Sequence, residues 1–220
     1  MAEFRSAILS RLRAATGEEG LPAIYTAVMA RRSWNPAERV ARLRKGMEAV
    51  HAEFLEADSA NWPAVVRAFC EREGLGNLLY GPHGPDGPAL AAAWPPGGPD
   101  LIPYSERVEG FKDTLFHRVE AGFTSTLGGV AEIGGLLLEP GPEEPRLLSL
   151  VPPIHLALLR ASTIQDSLWS AIRDLGWGRG PGAHSLLISG PSKTADIEQT
   201  LAYGVHGPKR LIVVLVNDLG

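Results

Sequence analysis

The chain has 220 residues, 45% hydrophobic, 21% charged and 7% aromatic, the make-up of a soluble globular protein of one domain, or one domain with an arm. No apolar run approaches the roughly 18 residues that a membrane span needs, and the single cysteine, Cys70, excludes internal disulfides, cysteine-rich zinc sites and an iron–sulfur cluster held by this chain alone. The net charge of −4 divides into +4 over residues 1–50 and −8 over the rest, and an acidic total argues against nucleic acid as the main partner.

The first residues, MAEFRSAILSRLRAA, are amphipathic and hold no apolar signal core, so a cytoplasmic location is expected. Phe4, Ile8 and Leu12 recur every fourth residue and predict a helix over 4–15. A second helix is predicted from Pro36 to Glu56, capped by Asn35, with Val40, Leu43, Met47, Val50 and Phe54 on one face. A third is expected over Trp62–Glu73, capped by Asn61 and ended by Gly74 or Gly76. Residues 81–103, GPHGPDGPALAAAWPPGGPDLIP, are too rich in glycine and proline for a long helix or a central strand. They read as a loop excursion with a short strand near Leu90–Ala93.

From residue 105 short apolar strands alternate with helices. Helices are expected over Ser105–His117, Thr163–Leu175 (ended by Gly176) and Ala195–Tyr203. Strands are expected over Val119–Phe123, Gly135–Leu138, Ile154–Leu159, Ser185–Ser189 and Leu211–Val216, with a turn or helix through Thr124–Ala131. This alternation predicts an α/β fold: an open, mostly parallel sheet with helices on both faces, preceded by a helical N-terminal arm. The arm is taken as 1–60 and the α/β domain as 61–220. Ligands of such sheets bind at the carboxyl ends of the strands.

Three stretches carry the candidate chemistry. In SGPSKTADIEQTLAYGVHGPK, residues Gly190, Ser192, Lys193, Thr194 and Asp196 fall at the start of a predicted helix, where backbone N–H groups, hydroxyls and an ammonium suit a small carboxylate or phosphate. Plain capping by Thr194 and Asp196 explains the same residues. Lys193 stands out as one of four lysines against seventeen arginines. His206 follows in GVHGP, either to meet an anion or to satisfy backbone carbonyls. In GFTSTLGGVAEIGGLLLE, Glu132 is a candidate base, nucleophile or surface-turn residue, while Thr124, Ser125 and Thr126 either cap a helix or line a pocket. His155 reads as structural. A phosphate-binding GxxxxGK[ST] loop is excluded because Ser192, not glycine, precedes Lys193, and no residues have metal-ligand spacing.

The run SGPSKTADIEQTLAYGVHGPKRLIVVLV, with GFTSTLGGVAEIGGLLLE and RLLSLVPPIHLALL before it in order, closely resembles the LUD-domain family of LutC-type (YkgG) lactate-utilisation proteins. The likeness covers most of residues 60–220. It implies the open α/β sheet shared with ribose-5-phosphate isomerase, glucosamine-6-phosphate deaminase and CoA transferases. It also implies a place in a system oxidising L-lactate to pyruvate, whose partner subunits hold the iron–sulfur clusters while this chain binds no cofactor. One departure stands out: the family's Ala-Glu-Thr-Gly is Ala131-Glu132-Ile133-Gly134 here, so the carboxylate is kept and the hydroxyl lost. The expectation is therefore a non-redox subunit with a small anion at Ser192, Lys193 and Thr194 near Glu132 and His206, its basic N-terminal helices docking a partner. The alternative is a stand-alone isomerase- or transferase-like enzyme acting on a phosphorylated or CoA-linked molecule, with Glu132 as base or nucleophile.

Overall fold

A computed structural model describes residues 2–15, 33–178, 184–195, 201–203 and 207–220. The chain divides into two units, 1–33 and 34–220. The first contains helix α1 (Ala2–Ala15), on which Phe4 and Ile8 are exposed.

The second unit opens with α2 (Pro36–Glu48). Asn35 Oδ1 accepts the Glu38 N–H at 2.9 Å, and Glu38 Oε2 accepts the Asn35 N–H at 3.0 Å, closing a capping box over Pro36 at the first helical position. The helix was expected to run to Glu56 but ends at Glu48. His51 turns the chain with a left-handed φ of 71°, and β1 (Glu53–Asp58) follows. Helical spacing of Val50 and Phe54 was overridden by pairing along a neighbouring strand, which sends Phe54 and Leu55 to opposite faces of the sheet. Since β1 belongs to the sheet, the observed division at 33/34 replaces the expected one at 60/61.

Chain order then runs α3 (Trp62–Arg72), β2 (Asn77–Tyr80), α4 (Gly87–Ala92), β3 (Asp100–Pro103), α5 (Val108–His117), β4 (Ala121–Ser125), β5 (Gly128–Val130), β6 (Gly135–Leu138), α6 (Leu147–Leu150) and β7 (Ile154–Arg160). A 3-10 turn (Ala161–Thr163), β8 (Ile164–Gln165), a helical turn running into a π turn (168–175), β9 (Leu186–Ile188), β10 (Lys193–Ala195), β11 (Leu201–Tyr203) and β12 (Arg210–Asn217) complete it.

Six strands form one parallel sheet in the order β1-β12-β7-β4-β2-β3. In β12 and β7 the runs Leu211–Val216 and His155–Leu159 are buried on both faces. Leu156, Leu158, Ile212 and Val214 meet Trp62, Val66 and Phe69 of α3 on one side. Ala157, Leu159, Val213 and Leu215 meet Leu43 and Met47 of α2 and Leu136 and Leu138 of β6 on the other. Each fully buried leucine or valine contributes about 1.5–3 kcal/mol. A smaller sheet, β8-β5-β6-β9, covers this second face. It approaches α2 so closely that Gly134, at φ 63°, lies against the Gly46 backbone, where a Cβ would meet Cα at 2.9 Å.

The open α/β architecture agrees with the sequence reading; several elements differ. Residues 81–103 contain a helix at 87–92, where a strand was expected, and the edge strand β3, whose terminal Pro103 an edge tolerates. Thr124–Ala131 gives the end of β4 and then β5. The expected helix over 163–175 breaks because Asp166 is held by Arg39 and the Trp34 N–H, leaving only the turn capped by Ser167; Gly176 ends it in the left-handed region as expected. In place of a helix over 195–203, β10 and β11 pair antiparallel. Removing the cap with Asn35→Ala should cost about 1 kcal/mol, read as a lower urea midpoint with an unchanged m-value; an unchanged midpoint would show that the capping box does not hold α2.

Candidate functional site

The order of the strands locates a crevice. From β2 the chain crosses outward to β3; from β4 it turns the other way, to β7 and then β12. The β2–β4 boundary is thus the switch point of the sheet, where connections leave on opposite faces and a gap opens at the carboxyl ends. After β2 the chain forms α4, whose Leu90 packs with α3; after β4 it enters β5 and β6 on the opposite face.

A cavity of about 490 Å³ lies there, lined by Pro85, by Thr124–Leu127 after β4, by Leu138–Pro145 after β6, and by Ser149. The 81–87 loop folds against its wall. A Cβ on Gly81 would collide with the Glu143 carbonyl oxygen, and one on Gly84 would strike the Glu144 side chain. Only glycines permit this approach.

Two hydrogen-bonded pairs organise the end of β4. Glu144 accepts the Ser125 hydroxyl at 2.8 Å and the Ser125 N–H at 3.1 Å. Burial raises the Glu144 carboxyl above the usual carboxylate range; the Ser125 hydrogen bonds oppose this, and the neighbouring Asp86 and Glu143 charges add to it. The Ser125 oxygen also accepts the Asp86 N–H at 3.2 Å. Asp86 is almost fully buried, and both its oxygens are held by Arg160 at the end of β7, at 2.5 and 3.2 Å. That pair raises the Arg160 guanidinium still further above its usual value and occupies its charge.

One residue earlier, Thr124 Oγ1 lies 2.8 Å from Nε2 of His155, whose ring is fully buried and whose Nδ1 has no partner among the described residues. With no countercharge, burial drives the imidazole down to about 3, so it is neutral near pH 7. Thr126 donates to the Leu158 carbonyl at 2.7 Å. The arrangement offers an acid/base carboxyl, fixed hydroxyls and proline walls.

The residues singled out in the sequence fall elsewhere. Glu132 is exposed in the turn between β5 and β6, at the opposite end of that hairpin from the cavity, and its N–H reaches the Asp166 carbonyl at 3.0 Å. Ile133 beside it is exposed. A Cβ on Gly190 would contact Val50, and the Ser192 N–H donates to the Pro208 carbonyl at 2.8 Å, which places this stretch at the amino edge, where β1 and β12 begin. The carboxyl-end expectation failed because β9 pairs antiparallel with β6 in the smaller sheet. Lys193 and Thr194 lie in a strand, so the proposed helix N-terminus under Ser192, Lys193 and Thr194 is corrected. Asp196 and His206 lie outside the described residues. The structure does bring the two motifs to one region: Gly134 packs on Gly46, and Gly190 packs on Val50 just beyond α2. Of the flagged residues, Thr124, Ser125 and Thr126 line the cavity. Glu144, Asp86 and Arg160 went unnoticed; the recurrent glycines of 81–87 were their one signal.

The LUD domain model matches residues 40–216. The chain belongs to the LUD-domain family. It is 36% identical to an uncharacterised protein of Neisseria meningitidis, over 84% of this chain and 80% of that protein. It is 30% identical to Lactate utilization protein C of an Exiguobacterium species, over 77% of this chain and 74% of that one. A crystal structure of a DUF162 family protein from Deinococcus radiodurans shares the fold, with a TM-score of 0.61 at 21% identity, covering 84% of this chain and 99% of that one.

In this LUD chain the buried His155 makes a test of the site's electrostatics. Its unfolded form takes a proton below the ordinary 6.5, while the folded form stays neutral to about 3. Its contribution to stability is intact above 6.5 and falls by about 1.4 kcal/mol per pH unit as pH drops through that window. ¹⁵N NMR should show a neutral His155 ring at pH 5; a ring protonated there would refute the assignment.

Proposed function

We propose that this chain serves lactate utilisation as a non-redox subunit of an L-lactate-oxidising system. The observation that carries the reading is its similarity, across 77% of this chain and 74% of the other, to a protein named Lactate utilization protein C. Oxidation of lactate to pyruvate releases two electrons and two protons, and something must accept the electrons. With one cysteine this chain lacks the thiolates for an iron–sulfur cluster. That cysteine, Cys70, is buried in α3, where burial pushes its thiol up to about 12, far from a reactive thiolate. Electrons would therefore pass to iron–sulfur partner subunits.

In the same reading, the exposed Lys193 beside Ser192 is the contact for a small anion, held by the ammonium and hydroxyls without a helix dipole. The exposed Phe4 and Ile8 of the basic α1 are the docking contact for a partner. Among the described residues no helix is long and apolar enough to cross a membrane.

Deleting the gene should abolish growth on L-lactate while sparing growth on glucose, and the tagged chain should co-purify with iron–sulfur proteins from lactate-grown cells. Normal growth of the deletion strain on L-lactate as sole carbon source would overturn the proposal.

A further inference from the structure

We propose that the cavity at the β2–β4 switch binds a small uncharged polyhydroxylated molecule, with Thr124 and Glu144 contacting its hydroxyl groups. This goes beyond the lactate reading and does not depend on it. The volume, about 490 Å³, falls within the range of small-molecule sites. Among the described residues its lining holds Glu139, Glu143 and Glu144 but no lysine, arginine or histidine. The basic group at this edge, Arg160, has both terminal nitrogens on the Asp86 carboxylate. A carboxylate or phosphate entering here would meet negative charge with no free cation to offset it.

A polyol meets complementary partners. Its hydroxyls donate to carboxylates and to the hydroxyl oxygens of Thr124, Ser125 and Thr126; the protons of Ser125 and Thr126 are already given to Glu144 and the Leu158 carbonyl. Its C–H faces find apolar walls in Pro85, Pro140, Pro142 and Pro145. A neutral ligand is favoured over an organic cation because the shielded Glu144 carboxyl already shares its charge with two Ser125 donors, and its remaining acceptor positions suit a hydroxyl without the desolvation cost of a buried cation. Thr124 is anchored from behind by His155 Nε2, so its hydroxyl is fixed at the wall with two further hydrogen-bonding positions left for a ligand.

Saturation-transfer difference NMR on the full chain, with D-ribose, D-glucose and xylitol as probes, tests this against L-lactate and ethanolamine. At least one polyol should receive saturation on its C–H protons, and L-lactate should receive none at this cavity. Thr124→Val removes the hydroxyl with little change of shape and should weaken the polyol signal about fivefold. Should that variant fail to fold, Gly141→Phe is the second probe: Gly141 lines the cavity and a Cβ there meets nothing within 4 Å, so the substitution is designed to place a ring in the ligand's space. Absence of transfer to all three polyols would overturn the proposal. So would transfer to L-lactate or ethanolamine that Gly141→Phe removes, or a polyol signal that Gly141→Phe leaves unchanged.

Discussion

Strands β7 and β12 are buried on both faces, and this constraint governs the rest of the molecule. A parallel strand covered on each side needs crossover connections, so the chain must leave the sheet and return over one face or the other. The departures from β2 and β4 go to opposite faces, and the gap between them is where the cavity lies. Its position therefore follows from strand order, not from any single residue. The same constraint draws β1 into the sheet beside β12, against the helical spacing that its own residues display.

The carboxyl edge is held together by buried charge whose parts are matched. Asp86 would be costly in that position without the two nitrogens of Arg160, and the pair clamps the end of β7 to the loop after β2. Ser125 links this pair to Glu144, and thus to the wall built after β6. The result is a pocket with an acidic lining in a protein whose relatives include proteins named for lactate utilisation. Such a lining, in a chain proposed to serve an anionic substrate, is the reason for proposing two separate tasks: contact with the lactate system, and recognition of an uncharged ligand at the sheet.

Much of the fold was legible because it rests on local physics. Asn35-Pro36 announces a helix start by its side chain and fixed φ, and Leu211–Val216 announces a strand buried on both faces. The start of β1 was not legible, since Val50 and Phe54 fit a helical period by accident and only β12 decides between the two. Pocket residues Thr124–Thr126 could be read as hydroxyls waiting for a role. Glu144 could not, because its burial depends on Gly81 and Gly84 closing over it from some sixty residues away along the chain. The signature run around Ser192 was read at the wrong edge for a related reason: the direction of β9 is set by antiparallel pairing with β6, which no local pattern records.

A cavity at the β2–β4 switch that recognises uncharged hydroxyl groups, apart from the proposed lactate contact at the amino edge, is what the account stands on. Saturation-transfer NMR with xylitol on Gly141→Phe, against Gly141→Ala as control, tests it most directly, with circular dichroism confirming that both variants fold. The alanine variant should keep the xylitol signal and the phenylalanine variant should lose it. A full xylitol signal from a folded Gly141→Phe chain would contradict the account and move the binding surface away from the cavity.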